Sequence, residues 1–392
     1  MQLVIATQSL SGIGGSETYA VTIADHLQRL GHDVWLHALE QGPASEGARA
    51  LGVRVASGVR ELPGEPDALV VQDGAVAYEF ASLYPRTPQV FVAHSDIFDL
   101  QLPPQLPGLI AVVIALYDRV ERRVRALGLD VPIVRLAQPV DVERFKPRSP
   151  LRERAQVALT LGNYVHGERL ELLRRACART SLELHHVGTH GSQAVADPRE
   201  ALNHADIVFG KARVILEAMA CGRAAYVFDH NGAEGWVTAQ NVGELSADNF
   251  GGQSRPIPVD ENRLVADLGR YDPAMGPLNR DFVVAHCSAT KHAAALVEVL
   301  RGVAPRTADP VDVPLRELAR LVRVGHRADG EAFAVHAHAE RLSARVHELE
   351  TEVQAARERS EEVVTTRRWK AVQMLLRPLD LARAALKKRW SV

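Results

Sequence analysis

Three stretches of this chain combine residue types and spacings that could do chemistry. The first is Ser11-Gly12-Ile13-Gly14-Gly15-Ser16-Glu17, which follows an apolar strand and opens a helix. Glycines there let backbone approach a ligand closely, and Ser16 can cap a helix whose free amides point at an anion. The third glycine of a dinucleotide fingerprint is missing, and a plain strand–helix turn would use the same residues. The second is Lys211-Ala212-Arg213-Val214-Ile215-Leu216-Glu217, again at a strand-to-helix junction. Cations at a helix N-terminus oppose its dipole, so stability alone does not favour them. With an anionic ligand, amides, Lys211 and Arg213 would converge on a phosphate. Glu217, one turn on, could accept hydrogen bonds from sugar hydroxyls. As a carboxylate at a cleft edge it is expected to contribute little to packing. The third is His94, closing the apolar run Val90-Phe91-Val92-Ala93. A lone histidine of this kind is more often a structural hydrogen-bonder.

Other chemistries find no support. His185, His186 and His190 lie along one strand and turn without a carboxylate cluster, so no metal site is expected. Cys177, Cys221 and Cys287 have no metal or disulfide spacing and read as small buried residues. No Gly-x-Ser-x-Gly, His-Glu-x-x-His or Gly-Lys-Ser/Thr sequence occurs. A hydrolase with two catalytic carboxylates fits poorly, because no such pair stands among these motifs.

The elements that must position these residues read as two successive α/β alternations. Strands are expected at Met1–Thr7, Val34–Leu39, Ala68–Gln72, Val90–His94 and Ile133–Leu136, with helices at Glu17–Leu30, near Val76–Leu83 and at Tyr117–Leu127. After the prolines 139, 147 and 150 the pattern restarts, with strands at Val157–Leu161, Leu182–Val187, Asp206–Phe209 and Ala224–Asp229. Helices Arg169–Arg179, Pro198–Asn203 and Arg213–Ala220 lie between them, and one long helix is expected over Arg280–Leu300. The fold class is therefore α/β, with two doubly wound domains facing a cleft, where ligands sit beyond the strands' carboxyl ends.

Taken together, the motifs resemble retaining glycosyltransferases of the GT-B fold, of the family-four (group 1) type. Gly14-Gly15-Ser16-Glu17 resembles that family's first glycine loop. Pro139-Val140-Asp141-Val142-Glu143-Arg144-Phe145-Lys146-Pro147 is similar to its interdomain segment, and Leu216-Glu217-Ala218-Met219-Ala220-Cys221-Gly222 to its most specific helix. The resemblance covers residues 1–303. It implies a nucleoside diphosphate-sugar donor held mainly by the second domain and an acceptor, glycan or lipid-linked, on the first, as in polysaccharide biosynthesis. By that resemblance Glu217 binds the donor ribose, Gly14, Gly15 and Ser16 approach the diphosphate, and His94 sits near the transferred sugar. Three departures stand out. Phe209 occupies the place of the family's first paired Glu, Asn163 and His166 the places of its phosphate-gripping Arg and Lys, and a Gly-Gly-x-x-Glu loop is shortened to Asn231-Gly232-Ala233-Glu234. Lys211 and Arg213 could restore the missing charge, and they are the expected catalytic cations beside His94. No metal or cofactor is then required. Two alternatives remain open: a catalytically weak GT-B scaffold or partner subunit, and a sugar-nucleotide epimerase.

The sequence divides accordingly into 1–138 (acceptor domain), 139–153 (interdomain segment), 154–303 (donor domain and closing helix), 304–330 (linker), 331–365 (coiled coil) and 366–392 (basic amphipathic tail). The coiled coil follows from Val335, Ala339, Leu342, Val346, Leu349, Val353, Ala356, Ser360 and Val363, a seam of alternating spacings four and three. It suggests a homodimer. The chain of 392 residues has net charge -2, yet 366–392 carries +7 and the remainder -9. Trp369, Leu375, Leu379, Leu386 and Trp390 interleave with those basic residues, as in a helix lying on an anionic membrane surface. No apolar run approaches the ~20 residues that span a bilayer. The N-terminus reads as a strand and not as a secretion signal. A cytoplasmic protein, peripheral on the inner membrane face, is the expectation. The near-neutral charge excludes a globally basic nucleic-acid binder.

Overall fold

The computed structural model describes residues 1–98, 101–162, 165–188, 197–229, 232–253, 259–306, 314–365, 370–372 and 374–376. The chain forms two units, residues 1–323 and 324–392. The first opens with β1 (Gln2–Leu10), α1 (Gly15–Arg29), β2 (Asp33–Gln41), α2 (Pro43–Ala50), β3 (Arg54–Ala56), β4 (Ala68–Val71), α3 (Gly74–Leu83), β5 (Gln89–Ala93), β6 (Val112–Ala115), α4 (Asp118–Arg125) and β7 (Ile133–Arg135). These strands form a parallel sheet in the order β3-β2-β1-β4-β5-β6-β7. Its central strands are apolar runs buried on both faces, as parallel strands covered by helices must be.

A second lobe follows, with β8 (Val157–Leu161), α5 (Gly167–Arg179), β9 (Glu183–Val187), α6 (Arg199–His204), β10 (Ile207–Gly210), α7 (Arg213–Ala220), β11 (Ala224–Asp229) and β12 (Gly232–Trp236). The sheet runs β12-β11-β10-β8-β9, parallel except for β12. Residues 232–234 of the shortened loop thus form an antiparallel edge strand, while Asn231 lies outside the described residues. Arg223 is fully buried under α7. Its guanidinium donates to the carbonyls of Cys221, Asn203, Ala205 and Ser149, joining three backbone segments.

The helix expected over Arg280–Leu300 is two helices. After α8 (Val242–Ala247) and α9 (Glu261–Leu268), α10 (Met275–His286) stays with the second lobe and α11 (Ala289–Gly302) returns to the first. The break falls at Ser288, whose backbone is extended. There the Val140 N–H donates to the Cys287 carbonyl at 2.8 Å, and the Ala289 N–H to the Val140 carbonyl at 2.9 Å. Both chain crossings between the lobes are thereby fastened together. Ala293, Leu296, Val297 and Leu300 of α11 complete the first lobe's core, so this helix does not close the second lobe. His292 on α11 sits 2.9 Å from the Tyr19 hydroxyl on α1.

The long helix α12 (Leu315–Thr365) begins in the first unit, where Arg323 pairs with Glu79, and makes up most of the second. Along it Val335, Leu342, Val346, Leu349 and Val353 of the seam are 43% to 70% exposed. Of the basic tail, only residues 370–372 and 374–376 are described, and Val372, Leu375 and Leu376 there are exposed. Trp369, Leu379, Leu386 and Trp390 lie outside the described residues.

Candidate functional site

In the first lobe the candidate residues all lie at the carboxyl edge of the sheet. β1 delivers the glycine loop, and Asp73 pins its end by accepting the Gln8 N–H at 2.7 Å and the Thr7 hydroxyl at 3.0 Å. Gly14, not Ser16, is the N-cap of α1, and no side chain caps it. Ser16 instead donates to the Glu17 carboxylate at 3.0 Å. That carboxylate lies over Gly14, where an added Cβ would collide with it. An anion reaching these amides must therefore displace the side chain of Glu17.

His94 follows β5 with its ring packed edge-on against Tyr19, centroids 4.9 Å apart. Its Nε2 is shut off from solvent and has no hydrogen-bond partner among the described residues. Burial, then the nearby His292, push its pKa down to about 3, so the ring is neutral at ordinary pH. It cannot act there as a proton-donating imidazolium. A neutral ring with one unmatched nitrogen can still exchange a hydrogen bond with a hydroxyl.

The second lobe presents Lys211, Arg213 and Glu217 after β10. Gly210 is required, because a Cβ there would meet the Val214 side chain at 2.6 Å. Lys211 Nζ lies 3.0 Å from the Asp229 carboxylate at the end of β11. Arg213 Nε donates to Glu217 Oε1 at 2.7 Å. Both cations thus have a stabilising carboxylate, which answers the dipole objection without invoking a ligand. Glu217 is also not a packing-neutral residue. It is buried, and desolvation pushes its carboxyl up against the pull of Arg213. The expectation that it contributes little to packing fails for that reason.

Phe209 belongs to the second lobe's core. It is fully buried, with its ring centroid 5.2 Å from that of Tyr226 and 6.2 Å from that of Phe228. No carboxylate acts from this position. His166 is the N-cap of α5, without a side-chain cap bond, while Asn163 lies outside the described residues.

Several residues at these edges escape sequence reading. Asp229 is one, since nothing in its local spacing announces Lys211 as a partner. Arg119 is another: it lies 2.6 Å from Asp248 of the second lobe, 3.8 Å from Asp96, and meets Gln253. Tyr117 donates to Asp96 at 3.0 Å, with the Arg119 guanidinium 5.5 Å from its ring centroid. This group joins the lobes at the carboxyl edge of the first sheet. Among the described residues the group with metal-ligand geometry is Asp25, His26 and Asp141. Asp141 is already engaged: it accepts the amides of Glu143 and Arg144 and lies 3.5 Å from His26. These bonds hold its carboxyl down to about 2 despite burial, and His26 thereby links α1 to the crossing segment, while Asp25 pairs with Arg29. His185 pairs with Glu183, and His190 lies outside the described residues.

No family profile matches the sequence, and no curated protein does. Solved structures do match. HepE from Anabaena, in complex with UDP and glucose, superposes with a TM-score of 0.54 at 12% identity, over 77% of this chain and 100% of its own. Sucrose-phosphate synthase from Thermosynechococcus elongatus gives 0.52 at 13% identity, over 77% and 98%. The chain has the GT-B fold. A Listeria monocytogenes protein assigned as a UDP-N-acetylglucosamine 2-epimerase gives 0.51 at 10% identity, over 76% and 95%. GT-B architecture is thus shared across different chemistries, and the side chains at the strand edges must decide among them.

In this GT-B second lobe the turn into α7 is strained. Ala212 has φ 49° and ψ -122°, a region L-residues rarely adopt. Ala212→Gly should raise the unfolding free energy by about 1 kcal/mol by relieving that conformation. Urea denaturation checks it, and a loss of stability would show that the turn is unstrained.

Proposed function

We propose that this chain transfers a sugar from a nucleoside diphosphate-sugar to a glycan or lipid-linked acceptor, with retention at the anomeric carbon. The observation that carries the reading is the end of β10, where Lys211 and Arg213 are each held by a carboxylate at the mouth of a GT-B second lobe. HepE is a GT-B neighbour in complex with UDP and with UDP-glucose, which supports a donor of that class.

The departing diphosphate gains negative charge as the glycosidic bond breaks. Cations already oriented by fixed partners stabilise that charge with little reorganisation. Lys211 and Arg213 take this role, and Glu217 accepts from the ribose with the carboxylate that also holds Arg213. Gly14, Gly15 and Ser16 offer close backbone approach once Glu17 swings aside. His94 borders the transferred sugar as a neutral ring. The reading needs no metal or cofactor. The basic tail supports attachment to an anionic membrane, and a lipid-linked acceptor would be met there. Among the described residues no helix is long and apolar enough to cross a membrane.

Buried Phe209 favours a second reading, a scaffold without turnover. A thermal-shift panel of UDP, GDP, ADP and their sugars separates the two. A ligand at a hundred times its dissociation constant adds about 2.7 kcal/mol. No response to any nucleotide overturns the proposal, and binding without transfer or hydrolysis leaves the scaffold. Conversion of the donor sugar without an acceptor would identify an epimerase. Lys211→Gln should lower turnover on the order of tenfold with less change in KM, since its charge is shared with Asp229. Equal turnover would return Lys211 to a structural role.

A further inference from the structure

We infer that residues 335–363 of α12 pair with the same segment of a second copy as a parallel, in-register, two-stranded coiled coil. The inference stands independently of the donor chemistry. The seam's apolar members Val335, Leu342, Val346, Leu349 and Val353 are at least 43% exposed on the single chain. An apolar stripe of this length on a helix is covered in a stable protein.

Three features name a second copy as the cover and fix its direction. The alternating spacing assigns Ala339, Val346, Val353 and Ser360 to the first core position of each heptad, and Val335, Leu342, Leu349, Ala356 and Val363 to the fourth. The central heptad therefore carries Val346 at the first position and Leu349 at the fourth, the combination that favours two parallel strands over three or four, and it is flanked by Leu342 and Val353 at the adjoining core positions. The flanking positions are also complementary. In a parallel pair each seventh-position residue faces the fifth position of the partner's next heptad. That places Glu352 against Arg357 of the other copy, and Arg345 against Glu350 of the other copy. Each contact occurs twice by symmetry, and all four residues are exposed. Within one helix Glu352 and Arg357 are five apart and do not face each other, so their matching has no intrahelical purpose.

Such a pair releases two basic tails from one end of the rod. Two +7 segments held together bind an anionic surface with the gain of a linked second site.

The full chain is tested in solution by sedimentation equilibrium at micromolar concentration. A dimer is expected, and a monomer overturns the inference. Leu342→Lys with Leu349→Lys, which touches none of the candidate site residues, should yield a monomer with unchanged thermal unfolding of residues 1–323; a persisting dimer overturns the location. Direction is read by Ser360→Cys under mild oxidation, because the native cysteines 177, 221 and 287 are buried. In the parallel pair this cysteine meets its own copy and cross-links. In an antiparallel pair centred on Leu349 the two would lie about 33 Å apart, from 1.5 Å per residue, and a dimer that fails to cross-link overturns the parallel arrangement. Glu352→Arg should weaken the dimer, and adding Arg357→Glu should restore it. Failure of that restoration overturns the assigned register.

Discussion

Replacing Glu217 by alanine should lower the unfolding free energy by about 3–5 kcal/mol, the usual consequence of leaving a buried charge without its partner. Glu217 and Arg213 are both largely shielded from water and 2.7 Å apart. Removing either one strands the other. Arg213→Ala should therefore be nearly as damaging. Replacing both by apolar residues of similar size, as in Glu217→Leu with Arg213→Met, should recover most of the loss. Equilibrium urea unfolding of the three variants tests this, and a wild-type midpoint for Glu217→Ala would show that the pair does not hold α7. The double variant also separates stability from binding. If it folds well and still binds a nucleotide-sugar as wild type does, the pair has no part in donor recognition.

The second large effect is on stability in acid. His94 and His292 are held down to about 3 and about 4, chiefly by burial. In the unfolded chain both titrate near 6.5. As the pH falls below that value the unfolded state takes up protons that the folded state refuses, so stability falls with pH. Their contribution is fully present above about pH 6.5 and is lost as the pH falls toward 4 and 3. Between pH 7 and pH 5 each histidine should remove about 2 kcal/mol. The raised carboxyl of Glu217 works the other way, since it takes its proton more readily in the folded state. The two histidines together should remove roughly 4 kcal/mol before that offset, read as a falling urea midpoint. His94→Gln should flatten the profile. An identical slope in that variant would mean that His94 is not kept neutral by the fold.

Much of the architecture could be read from local pattern. The two alternations and the strands that deliver His94 and Lys211 follow from short apolar runs between helical ones. β6 was missed because Val112–Ala115 sits inside a longer apolar stretch with no period of its own. The break between α10 and α11 was missed because no Gly or Pro marks it; it is made by pairing with Val140, far away in sequence. The same limit applies at the site. Residue types at a helix start announced Lys211, Arg213 and Glu217, but not that Asp229 and Glu217 hold the cations. Nor did spacing announce that Arg119 reaches Asp248. Pairings across long sequence separations are products of the topology, and periodicity carries no record of them.

The return of α11 to the first lobe also sets an order of assembly on the ribosome. The strands of the second sheet all fall between Val157 and Trp236, so that sheet can form as soon as this stretch has emerged. The first sheet is translated earlier, yet the helix that covers part of its core ends at Gly302. Domains of a nascent chain usually mature in the order they are made. Here the earlier half waits for the later one, with the apolar surface beneath Leu296 and Leu300 uncovered in the meantime. A chain arrested after residue 138 should accordingly remain protease-sensitive and bound by chaperones, and extension through residue 302 should release it.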